Sequence, residues 1–112
     1  MAVVETPSFL REAAAALDEA ERLDLIWFLA ANPESGDVMT GTGGSRKLRW
    51  RAAGRGKRGG VRVIYYYHNE TIPLFLLSVL AKNEKANLTP AERNAMAALL
   101  PRLVAGYGRR MK

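Results

Sequence analysis

The segment Ile72–Ala81, IPLFLLSVLA, carries no charged side chain and only one hydroxyl, that of Ser78. It is too short to span a membrane, which takes about 20 apolar residues. It is too continuous for a strand with one wet face, where polar and apolar positions alternate. It reads as a central strand covered on both faces. Pro73 cannot donate to a ladder and belongs near the start of that strand or at an edge position.

The neighbouring segments supply the partners such a strand needs. Val61–His68 is rich in β-branched and aromatic residues and reads as a second strand, joined to the first by the turn Asn69-Glu70-Thr71. In Ser45–Arg51, Leu48 and Trp50 alternate with Lys47, Arg49 and Arg51, which is the period of a half-buried strand with one basic face. Between these two lies AAGRGKRGG, residues Ala52–Gly60, whose four glycines predict a flexible hairpin loop. Gly36–Gly44 is a turn-rich connection.

Upstream, Ala2–Glu5 suits a short strand. Thr6-Pro7 is an N-cap and first-turn pair opening a helix through Phe9–Leu17. Asp18 with Glu21 forms a capping box for a second helix, in which Leu23, Ile26, Trp27 and Ala30 recur at helical spacing. Both Trp27 and Trp50 are expected in the core. Asn32-Pro33 stops the helix, because proline disfavours a helical residue before it. Thr89-Pro90-Ala91-Glu92 opens a last helix with Met96, Leu99, Leu100 and Leu103 as its stripe. Pro101 is expected to kink it or end it early, and the basic tail 106–112 to fray. The reading is one α+β domain over residues 1–112. Its antiparallel-rich sheet carries two N-terminal helices and a C-terminal helix packed on it.

Charge divides the chain sharply. Residues 1–40 set Arg11 and Arg22 against eight acids, for −6; residues 41–70 set eight Lys and Arg against Glu70, for +7; residues 71–112 set seven against Glu84 and Glu92, for +5. Arginine outnumbers lysine, and its planar fork matches phosphate oxygens. The central block therefore points to nucleic-acid phosphates. With no cysteine and one histidine, thiolate nucleophiles, disulfides and the usual zinc ligand sets are excluded. No metal and no cofactor is expected. The first residues hold no basic stretch ahead of an apolar run, so a signal peptide is not expected, and the cytoplasm is the expected location with no membrane partner.

Gly54–Gly60 lacks the GxxxxGK[ST] spacing and lies between two strands, so it is not a nucleotide-binding P-loop. A set of Lys and Arg around a phosphodiester can still cleave RNA without histidine. The 2′-hydroxyl attacks the adjacent phosphorus in line, leaving a cyclic phosphate and a 5′-hydroxyl; the protein orients the nucleotide and stabilises charge on the phosphorane oxygens. A lysine crowded by cations gives up its proton more readily and can act as a base. This chemistry needs the 2′-OH and so selects RNA.

The runs GTGGSRKLR from Gly41 to Arg49, GKRGGVRVIYYY from Gly56 to Tyr67 and LAKNEK from Leu80 to Lys85 resemble the RelE-like toxins of type II toxin–antitoxin systems, particularly the HigB branch. The resemblance covers nearly the whole chain. It implies the RelE/ParE fold, ribosome-dependent and metal-independent cleavage of mRNA in the ribosomal A site, and neutralisation by a cognate antitoxin. It makes Arg62 the arginine beside the scissile phosphate and Lys57 and Lys82 the further catalytic candidates. Arg46, Lys47, Arg49, Arg55, Arg58 and Lys85 are the candidate RNA-binding set. The tyrosine that RelE carries after its last strand aligns near Thr89, which is committed to a helix cap, so proton transfer falls to Lys57 or Lys82.

Ordinary structural readings stand beside these. Arg49 and Arg51 could be the wet side of an edge strand, and Arg62 could pair with an acid such as Glu84. Of Tyr65, Tyr66 and Tyr67, two should be core. His68 is expected to be solvated. Two other functions fit the same residues: a ParE-type toxin poisoning gyrase on this fold, and a non-catalytic nucleic-acid-binding module.

Overall fold

The computed structural model describes residues 1–51, 60–81 and 88–110. Elements follow in the order β1 (Val3–Glu5), α1 (Pro7–Ala16), α2 (Glu19–Ala31), β2 (Asp37–Val38), β3 (Arg46–Trp50), β4 (Val61–Tyr66), β5 (Leu74–Ala81) and α3 (Pro90–Arg110). The five strands make one mixed sheet in the order β1-β5-β4-β3-β2. β1 runs parallel to β5, and the other three pairings are antiparallel. The molecule is thus α+β, with β5 inside the sheet as its apolar run requires.

The helix starts are set by side chains that satisfy otherwise orphaned amides. Thr6 Oγ1 accepts from Phe9 N at 3.3 Å while donating to the Leu76 carbonyl at 2.8 Å, so one hydroxyl both caps α1 and ties it to β5. Asp18 and Glu21 exchange bonds of 2.8 and 3.0 Å at the start of α2. Thr89 and Glu92 do the same at 3.2 and 2.8 Å for α3. α2 ends at Ala31 with Asn32 as its cap, one residue before Pro33.

Two apolar clusters sandwich the sheet. Phe9, Ala13, Leu25 and Leu29 of the helical pair bury against Val61, Val63, Tyr65, Leu74, Leu76 and Val79. On the other face Leu100 of α3 packs with Ile64, Phe75, Leu77 and Leu80. Leu76 and Val79 share a face although three residues separate them, which an unbroken period of two forbids. A bulge resolves this: Ile64 pairs with Ser78 but Tyr65 pairs with Leu76, leaving Leu77 as the extra residue. Glu12 of α1 serves the bulge, accepting from Ser78 Oγ at 2.9 Å and from Val79 N at 3.4 Å.

Several expectations need correction. β2 forms inside the segment read as turns, pairing Asp37 with Lys47 and Val38 with Arg46. β4 stops at Tyr66, two residues short of His68, and β5 begins at Leu74, after Pro73. α3 runs through Pro101 to Arg110 instead of ending early. The proline costs a helix about 3 kcal/mol. Beyond it, however, Leu103, Val104 and Tyr107 pack on the second cluster, and Tyr107 meets Phe75 edge-on at 5.3 Å. That burial offsets the broken hydrogen bond. Leu99, placed in the stripe by spacing, is 44% exposed, and Trp27 is 77% exposed rather than core. Trp50 is part-buried, against Phe28 at 5.3 Å, with its Nε1 donating to the Glu21 carbonyl.

Tyr65 is fully buried, and its hydroxyl accepts from Gly36 N at 2.8 Å. A side chain at Gly36 would meet Tyr65 and the Lys47 carbonyl at 2.9 Å, so the approach needs glycine. Tyr65→Phe leaves a buried N–H with no acceptor. Urea unfolding should show a loss of about 1–3 kcal/mol with an unchanged m-value.

Candidate nucleic-acid interface

β3 and β4 meet in the register Arg46↔Tyr65, Lys47↔Ile64, Leu48↔Val63, Arg49↔Arg62 and Trp50↔Val61. Directly opposed residues of an antiparallel pair share a face. Leu48 and Trp50 lie with the first cluster, on the helical-pair side. Lys47, Arg49 and Arg62 therefore share the other face with Ile64, the face on which α3 packs.

Arg49 and Arg62 stand directly opposite each other. Their Cβ atoms in such a pair lie about 4.5–5.5 Å apart, and like charges so placed oppose folding. Arg49 is exposed, whereas Lys47 and Arg62 are half-buried. Among the described residues, Arg62 Nη1 and Arg46 Nε are buried without a hydrogen-bond partner. A buried donor without an acceptor is costly, and here it belongs to a guanidinium. An anion brought to this face would relieve the repulsion between the two guanidinium groups of Arg49 and Arg62. On β5, Leu80 is the residue opposite Arg62, so the patch has an apolar floor on its inner side.

Arg46 does not join this group. It points to the opposite face, where Nη1 donates to the carbonyls of Glu34 at 3.1 Å and Gly36 at 2.8 Å. Nη2 lies 3.9 Å from the Glu34 carboxylate. Arg46 thus fastens the connection from α2 to β2, a role that follows from its parity on β3. Arg51 is exposed just past the end of β3. Lys57, Arg55 and Arg58 in the hairpin loop, and Lys82 and Lys85 after β5, lie outside the described residues, as does Glu84.

Gly60 sets the entry to β4. Its φ is +81°, and a Cβ there would sit 2.2 Å from the Trp50 carbonyl oxygen. Its place in a glycine-rich run suggests a flexible loop, but this backbone is a fixed conformation that admits no side chain. The glycine immediately before a strand was the available signal.

Tyr66 also belongs to the Arg62 face, two residues beyond Ile64. Its hydroxyl is 3.0 Å from His68 Nδ1, and the two rings are 6.0 Å apart. Four residues of strand separate Arg62 from Tyr66, about 13 Å, with buried Ile64 between. The Tyr66–His68 pair is therefore at the other end of this face from the Arg49–Arg62 pair. His68 is exposed, Tyr65 is core, and Tyr66 and Tyr67 are part-buried against opposite clusters.

Among the described residues, no group of three His, Cys, Asp or Glu could hold a metal ion, and no helix is long and apolar enough to cross a membrane. The chemistry this face can offer is that of fixed cations: orienting a phosphodiester and stabilising added negative charge on its oxygens. No family model matches the chain.

The cross-strand pair makes a testable statement. Arg49→Gln removes like-charge repulsion on an exposed position and should raise thermal stability at low salt by about 0.2–1 kcal/mol. The gain should shrink in high salt as screening takes over. Paired melts at two ionic strengths check both the sign and the salt dependence.

Proposed function

We propose that this protein is a RelE-like toxin of the HigB type, a ribosome-dependent endoribonuclease that cuts mRNA in the A site and so inhibits translation in the cytoplasm. The observation that carries the reading is the cross-strand pair Arg49↔Arg62, two like charges held on one sheet face with Lys47 beside them. The resemblance of GTGGSRKLR, GKRGGVRVIYYY and LAKNEK to that family supports it. So does the mixed sheet with helices on both faces.

In this reading Arg62 holds a non-bridging oxygen of the scissile phosphate and gains strength as charge builds on the phosphorane. Arg49 and Lys47 grip the flanking backbone and keep the 2′-hydroxyl in line with the leaving 5′-oxygen. The 2′-oxygen loses its proton as it bonds to phosphorus, and the 5′-oxygen takes one as its bond breaks. Lys57 and Lys82, which the resemblance places at the site, are the groups assigned to those transfers. No protein metal ligand is called for. A cognate antitoxin neutralises the protein in the cell.

Primer extension on mRNA bound to ribosomes is the direct test. The wild-type protein should produce cuts only when ribosomes are present, and Arg62→Ala should lower cutting by about a hundredfold or more while its thermal melt stays at or above wild type. Intact ribosome-bound mRNA together with growth arrest would overturn the nuclease reading. Inhibition of gyrase supercoiling by the purified protein would then point to the ParE-type alternative. Modest loss of RNA affinity in Arg62→Ala, with no cutting by either form, would indicate a binding module.

A further inference from the structure

The outer side of α2 has a composition that packing within this chain does not explain. Trp27 is 77% exposed and Leu23, one turn earlier, 43%. Positions 20, 23, 24, 27 and 31 fall on one side of a helix by their three- and four-residue spacing, and Ala20, Asp24 and Ala31 are exposed as well. The inner side of the helix is filled by Leu25 and Leu29, with Ile26 and Phe28 packed beside them. Trp27 belongs to neither cluster. A tryptophan left in water has no gain from folding, and it is the residue type most enriched where interfaces are anchored.

The charge around it identifies the occupant. Glu19 and Asp24 are exposed on the same helix, and residues 1–40 sum to −6. Arg22, the helix's one cation, is taken up in an ion pair with Glu5 of β1. A nucleic acid is repelled by this surface. It also lies on the helical-pair side of the sheet, away from Arg49 and Arg62. We propose that the Leu23–Trp27 stripe docks an amphipathic helix of a protein partner, one that presents an apolar anchor flanked by Lys or Arg. Trp27 is the anchor on this side, and its rigid ring loses little freedom on burial. Glu19 and Asp24 form the acidic rim that selects the sign of the partner. The site is independent of the nuclease reading, which concerns the opposite face.

The probe is a short capped Leu/Lys amphipathic peptide, with leucines at helical spacing and lysines on both flanks. The control is the same peptide with Glu for Lys. Both are titrated by calorimetry into the full chain, whose net charge is +6. Overall charge alone favours the Glu peptide, so a local acidic site must reverse that order. The Lys peptide should bind at least about tenfold more tightly than the Glu peptide. Trp27→Ser should weaken it by about tenfold or more without shifting the melting temperature, and Arg102→Gln, on α3, should leave it unchanged. Glu19→Lys with Asp24→Lys should invert the preference. Equal or better binding of the Glu peptide, or wild-type binding by Trp27→Ser, would overturn the proposal. Sedimentation showing self-association that Trp27→Ser abolishes would overturn it too, because a second copy would then be the occupant.

Discussion

The arrangement of both sheet faces hangs on the bulge in β5 and on the carboxylate that holds it. β5 is buried on both sides, and its side chains must meet the helical pair at Leu76 and again at Val79. A strand of strict period two would send Val79 to the α3 side and Leu80 to the helical-pair side. The extra residue at Leu77 corrects this, and Glu12 supplies the acceptor that the displaced Ser78 hydroxyl and Val79 amide require. Downstream of the bulge, Leu80 arrives opposite Arg62 on the α3 face. Leu80 thus comes to lie beside Arg62, whose own face is set by the alternation of β4.

The same parity separates the two electrostatic halves of the molecule. β3 alternates, so Lys47 and Arg49 go to one side while Leu48 and Trp50 take the other. The acidic helices α1 and α2 lie against the apolar side. Arg46 falls on that side as well and is drawn into service with the Glu34 and Gly36 carbonyls. A sheet built this way keeps Lys47 and Arg49 on the face away from the acidic helices. The like charges of Arg49 and Arg62, directly opposed across β3 and β4, cost stability.

Local signals were the legible ones. Thr6, Asp18 and Thr89 each cap a helix through the residue three positions on, so the starts of all three helices could be read from short strings. The meander from β3 to β5 followed from alternation and turn residues. α2 shows where this fails. Leu25 to Leu29 is five apolar residues in succession, more than one helix face can bury. Spacing alone admits a stripe through Leu23 and Trp27 or one through Leu25 and Leu29, and only the sheet beneath chooses. Pro101 shows the opposite failure, a strong local breaker overruled by the packing of Leu103, Val104 and Tyr107 beyond it.

The sequence by itself determined the element types, the central burial of Ile72–Ala81 and the concentration of positive charge between Arg46 and Arg62. These depend on periodicity, caps and composition, which act over a few residues. Tertiary structure decided which cations share a face, that Arg46 leaves the group, that Gly60 is a fixed turn, and that Trp27 faces water. Each of these depends on which strand lies beside which and in what register. Register is set by contacts between residues far apart in the chain, such as Glu12 with Ser78 and Thr6 with Leu76. No local pattern encodes them.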